Sequence, residues 1–93
     1  MVTQNSSGHY ANMRKRFVQN GLKGFLDYEV IELLLKLSDN RRDQKKTSKL
    51  LIQQFKSLKG VLSASDSDLL KIEGIGPSNI FGLKFVHSVA GRY

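Results

Sequence analysis

Residues 69–84, Leu-Leu-Lys-Ile-Glu-Gly-Ile-Gly-Pro-Ser-Asn-Ile-Phe-Gly-Leu-Lys, decide the fold. Ile72, Ile75, Ile80 and Leu83 stand as apolar anchors on either side of a turn. Gly74 and Gly76 bracket that turn, where glycine adopts positive φ without steric cost. Pro77 restarts the chain as a helix, because its φ is already set and its missing N–H would have had no partner in the first turn. Two helices joined by a tight hairpin follow, with a fresh helix N-terminus at the tip. Free N–H groups and a partial positive charge there form an anion site suited to one backbone phosphate. The plainer alternative is a hairpin that only joins two packed helices. A dinucleotide fold does not fit, since it needs a preceding strand and a third glycine; residues 65–71 read as helix, and position 79 is Asn.

Outward from the hairpin the chain continues as helix in both directions. Downstream, Phe81, Leu83, Phe85, Val86 and Val89 carry the second helix to about Ala90, with Phe81 and Phe85 expected in the core and Gly82 admitting close packing. Upstream, Ser65 and Asp68 form a capping-box pair, and Ser57 opens a short helical piece with Leu58, Val61 and Leu62. Asp43 is the expected N-cap of a helix reaching Phe55 or Lys56. Asp27 is the expected N-cap of another, stapled by Leu26 against Ile31 and running to about Leu37. Val30, Ile31, Leu33, Leu34, Leu35 and Leu37 make this helix apolar around most of its circumference, which predicts a central place in the core. Tyr10, Met13 and Phe17 mark one face of a first helix over His9–Asn20, and residues 1–8 read as a disordered tail. No strand-like alternation of useful length occurs. The expectation is a single all-α domain over residues 9–93, a compact bundle of about five helices whose last unit is the hairpin at 65–90.

Composition narrows the function. The 93 residues hold no cysteine, so disulfide and thiolate-metal chemistry are excluded, and no apolar run reaches the roughly 20 residues of a membrane helix. A soluble, cytoplasmic chain is expected. Fifteen Lys and Arg against eight Asp and Glu give a net charge of +7, which favours a polyanionic partner or simply high solubility. The densest positive segment is Arg41, Arg42, Lys45, Lys46 and Lys49, broken only by Asp43; it reads either as a phosphate-tracking patch or as a solvated helix face. His9 and His87 are the only histidines, short of the three protein ligands a catalytic zinc usually has, so no metal, cofactor or enzymatic activity is expected.

Several stretches together carry a family resemblance. They are Gly8-His9 with the basic Met13–Phe17 run, Leu26–Leu35, Arg41-Arg42-Asp43, Phe55–Leu62 and the hairpin Ile72–Gly76. The chain resembles the N-terminal domain of the bacterial RadC family, with a helix-hairpin-helix motif at its end. The resemblance implies a link to DNA repair. It also implies attachment, in a longer chain, to a C-terminal domain similar to zinc-dependent JAB1/MPN isopeptidases, whose His-x-His metal site this chain does not contain.

The resulting expectation is a sequence-nonspecific DNA-binding module. Gly74, Ile75, Gly76, Ser78 and Asn79 would hold one phosphate, and Arg41, Arg42, Lys45, Lys46 and Lys49 would add salt-sensitive attraction. Against the usual pattern of such hairpins, Glu73 stands where proline is frequent, Ser78 where Lys or Arg is frequent, and Ile80 where a small residue is usual. The alternative is a protein-interaction or regulatory module without direct DNA binding.

Overall fold

Apolar residues at three- and four-residue spacing fold into six helices in the computed structural model, which describes the backbone of residues 2–93 and the side chains of residues 8–93. They are α1 (Val2–Asn20), α2 (Asp27–Ser38), α3 (Lys45–Phe55), α4 (Leu58–Ser63), α5 (Asp66–Leu70) and α6 (Pro77–Arg92). The described residues contain no strand, and the all-α bundle is the one expected. Backbone 2–8, expected as a tail, continues α1 as its first turns; Met1 lies outside the described residues.

α2 is the central helix, packed against α3, α4 and α6. Its Ile31 and Leu35 join Leu51 of α3, Val61 of α4, Leu69 of α5, Ile75 of the hairpin and Ile80 and Leu83 of α6 in one continuous core. At Gly82 an added Cβ would come within 3.2 Å of the Ser38 Cβ, so the glycine lets α6 cross close to the end of α2.

Helix starts depart from expectation by one residue. Leu26, not Asp27, is the N-cap of α2; the Glu29 carboxylate accepts from the Leu26 N–H at 3.0 Å, and Asp27 instead accepts from the Leu58 N–H at 2.8 Å, tying α2 to the start of α4. Gln44, not Asp43, is the N-cap of α3, while the Asp43 carboxylate accepts from the Lys45 N–H at 2.8 Å. Ser57 and Ser65 cap α4 and α5 as expected, accepting from the Gly60 and Asp68 N–H groups. Between α3 and α4, Lys56 takes a left-handed turn at φ +81°, and Gly60 comes against the Phe55 carbonyl.

The central helix also buries an acid. Glu32 is 0% exposed, and the His9 ring donates from Nε2 to its carboxylate at 3.0 Å, joining α1 to α2. Neighbouring Tyr10 is buried, accepts from the Gln44 N–H at 2.8 Å and donates to Asp43 at 3.5 Å. Burial pushes the Tyr10 phenol well above its ordinary range, so it stays a neutral hydroxyl. A Tyr10→Phe variant leaves the Gln44 N–H without a partner and is expected to cost about 1–3 kcal/mol, read as a lower urea midpoint with an unchanged slope.

Two aromatic expectations are corrected. Phe81 is 68% exposed and Phe85 is also exposed, their rings stacked at 5.7 Å on the outer face of α6. Phe17 is half exposed on α1. Ile80 and Leu83 take the inward positions of α6, which leaves both phenylalanines on the face turned away from the core.

Candidate nucleic-acid interface

The hairpin is built around one glycine rather than two. Gly74 has φ +94°, whereas Gly76 is extended at φ −126° and ψ −175°, a conformation open to any residue. Ile75 between them points into the core. Gly76 is the N-cap of α6 and Pro77 its first residue. The Asn79 side chain closes the cap from within: its Oδ1 accepts from the Gly76 N–H at 2.9 Å, and its Nδ2 donates to Ser38 Oγ at 3.3 Å. Asn79 is only 4% exposed, so its side chain serves the fold and is not presented to a ligand. The Asn79 and Ile80 N–H groups both donate to the Gly76 carbonyl at 3.1 Å. Among the described residues the Ser78 N–H makes no hydrogen bond, and its side chain is exposed.

The basic segment reaches the hairpin through one residue. Arg42 donates from Nη2 to the Gly74 carbonyl at 2.8 Å and from Nε towards Asp39 Oδ2 at 3.4 Å, and Thr47 donates to the Glu73 carbonyl at 3.5 Å. Arg42, Asp39, Gly74, Gly76, Ser78 and Asn79 thereby line a shallow groove of about 350 Å³ at the α6 N-terminus. Arg41 is exposed, its backbone N–H and guanidinium both directed at Asp39. The Arg41 N–H, against an opposing burial effect and aided by the Arg41 and Arg42 charges, holds the Asp39 carboxyl below its usual range. The acid in the groove is thus ionised and flanked by two guanidinium groups.

The lysines lie apart from this groove. Lys45, Lys46 and Lys49 are exposed and border a separate depression on α3 with Asp43, Leu50 and Gln53; the Lys49 ammonium sits 5.1 Å from the centre of the Tyr28 ring. Of the residues singled out in the sequence, the structure gathers Arg42, Gly74, Gly76 and Ser78 at one surface. Ile75 and Asn79 also border that groove but are themselves buried, and the lysines lie on a second surface.

Thr47 and Ser38 support the groove and carry no recognisable signal in the sequence, since their partners Glu73 and Asn79 lie 26 and 41 positions away, whereas Asp39 acts locally on Arg41 and Arg42. Among the described residues no helix is long and apolar enough to cross a membrane. No cluster of three or more His, Cys, Asp or Glu residues suited to a metal occurs among them either.

Comparison with known proteins adds relatives to this geometry. No protein-family model matches the chain, and no solved structure matches it. A UPF0758 protein of Fusobacterium nucleatum subsp. nucleatum is 40% identical over 86 residues, covering 92% of this chain and 37% of the relative. A UPF0758 protein of Ruegeria pomeroyi is 34% identical over 84 residues, covering 90% of this chain and 38% of the relative. The chain therefore spans less than two fifths of the length of these relatives. Over nearly all of its own residues, the chain is a relative of the bacterial UPF0758 proteins and in that sense RadC-like.

Proposed function

We propose that this helical unit is a sequence-nonspecific DNA-binding module of a RadC-like protein acting in the cytoplasm, ending in a helix-hairpin-helix motif that takes one backbone phosphate. The observation that carries this reading is the meeting of Arg42 with the N-terminus of α6 in one groove, where an exposed hydroxyl and a free N–H of Ser78 also face solvent. A helix N-terminus, a guanidinium and a hydroxyl donor together match the acceptors of a phosphate. Arg41, Lys45, Lys46 and Lys49 would contribute attraction without reading bases, so affinity would fall with salt and vary little with sequence.

A second reading is favoured by the acids beside the groove. Asp39 occupies part of the Arg42 guanidinium and Glu73 lies exposed on the hairpin, an arrangement suited to a packing device. In that case the unit is a protein-interaction or regulatory module, attached in a longer chain to a JAB1/MPN-like domain.

The test is fluorescence anisotropy of labelled single-stranded, duplex and branched DNA at two salt concentrations. Ser78→Glu is the informative variant, because an acid in the first helical turn suits the dipole and preserves the fold. It is expected to weaken binding about tenfold, a change of ~1.4 kcal/mol. Lys45→Glu combined with Lys46→Glu is expected to flatten the salt dependence by about 0.9 in the log–log slope for each phosphate that the protein no longer neutralises. Absence of salt-dependent binding to every DNA form at micromolar protein would favour the interaction-module reading instead.

A further inference from the structure

One concave surface has apolar walls. Phe17 and Val18 of α1, Leu22 in the turn after it, Leu34 and Leu37 of α2 and Val86 of α6 line a groove of about 700 Å³. Val18 is 81% and Leu37 83% exposed, while Phe17 and Leu22 are half exposed. A contiguous apolar surface of this kind on a small charged domain marks an interaction site.

Its two charged lining residues are both basic. Arg14 and Lys36 border the groove, and neither has a carboxylate partner among the described residues; Lys36 donates to the Arg42 carbonyl and lies over the Tyr10 ring. α1 and α6 contain no Asp or Glu at all. The three acids of α2 are engaged elsewhere: Asp27 with the Leu58 N–H, Glu29 with Arg16 and the Leu26 N–H, and Glu32 with His9. An occupant therefore meets apolar walls between two helices and positive charge at the edge.

We propose that this groove docks an amphipathic helix of a partner protein, with large apolar residues along one face and acidic residues flanking them. A groove between helices accepts a third helix along its length, with anchors at i, i+3, i+4 and i+7. The acidic flank follows from Arg14 and Lys36. A second copy of the chain is the wrong occupant, because it would set the acid-free α1 of one molecule, with its Arg14, Lys15 and Arg16, against the same run of the other.

The experiment titrates the chain into a fluorescein-labelled synthetic peptide with Leu at those four spacings and Glu at the flanking positions. Two control peptides are a scrambled order and a version with Lys for Glu. The native chain is expected to bind the acidic amphipathic peptide at least tenfold more tightly than either control. Val18→Glu and Leu37→Glu, both at exposed positions, are each expected to weaken it at least tenfold with unchanged thermal melts. Arg14→Glu is expected to narrow the preference for the Glu over the Lys peptide by about tenfold. Equal binding of the scrambled or Lys peptide, or undiminished binding by Leu37→Glu, overturns the proposal. So does a dimer in sedimentation that Leu37→Glu dissolves, which assigns the groove to a second copy. Phosphatidylglycerol vesicles bound through the same residues when the acidic peptide is not would assign it to a lipid surface.

Discussion

Gly60→Ala is expected to destabilise the fold by about 3 kcal/mol, lowering the melting temperature by roughly 15 °C in a domain of this size. Gly60 lies in the first turn of α4, just after the corner made by Lys56 and Ser57. A Cβ there would stand 2.0 Å from the Phe55 carbonyl oxygen and 3.0 Å from its carbon. The obstacle is backbone, so no rotamer change relieves it, and the corner must open. Opening it draws on the Ser57 cap and on Val61, which is fully buried in the core. Circular dichroism melts of the two proteins measure the loss; a change below about 1 kcal/mol would mean that the corner shifts without loss of packing.

Gly74→Val is expected to cost a similar ~3 kcal/mol for a different reason. The position has φ +94°, where a β-branched residue is strained, and an added Cβ would come 2.5 Å from Thr47 Oγ1 and 3.3 Å from Arg42 Nη2. Both neighbours hold the hairpin, Thr47 through the Glu73 carbonyl and Arg42 through the Gly74 carbonyl. Relieving the clash therefore loosens the junction between the basic segment and the hairpin. Gly76→Ala is the control: its φ is ordinary, the nearest atom to an added Cβ is 4.0 Å away, and its effect should stay within about 1 kcal/mol. Urea denaturation of the two variants separates them; equal losses would show that the turn, and not Gly74 alone, demands glycine.

What could be read in the sequence is what local chemistry controls. Pro77 after Gly76, the serine caps at Ser57 and Ser65 and the apolar spacing of α2 act over a few residues, and the helices follow them. Asp27 and Asp43 look like caps because of their type, but each has another use: Asp27 bridges to α4, and Asp43 supports Lys45 from two positions earlier. The buried carboxylate of Glu32 is hidden in the sequence because its partner, His9, is 23 residues away. Gly60 shows no sign of its role either, since its need for a bare Cα arises from close approach and not from φ. At the candidate site, the hairpin and the basic run are visible separately, but their connection through Arg42 and the inward turn of Asn79 depend on tertiary packing. Phe81 and Phe85 share the helical spacing of core residues, and periodicity cannot distinguish a buried face from one that stays exposed.

Among the described residues, the continuous core contains no residue of α1. Buried Tyr10 and Met13 stand outside it, and the helix is tied to the bundle by polar links from His9 to Glu32, Tyr10 to the Gln44 backbone and Arg16 to Glu29. α1 consequently has an opening free energy of its own, smaller than that of global unfolding. Its amide hydrogens exchange with solvent through that local event, whereas those of Ile31 and Leu35 are released only when the whole bundle comes apart.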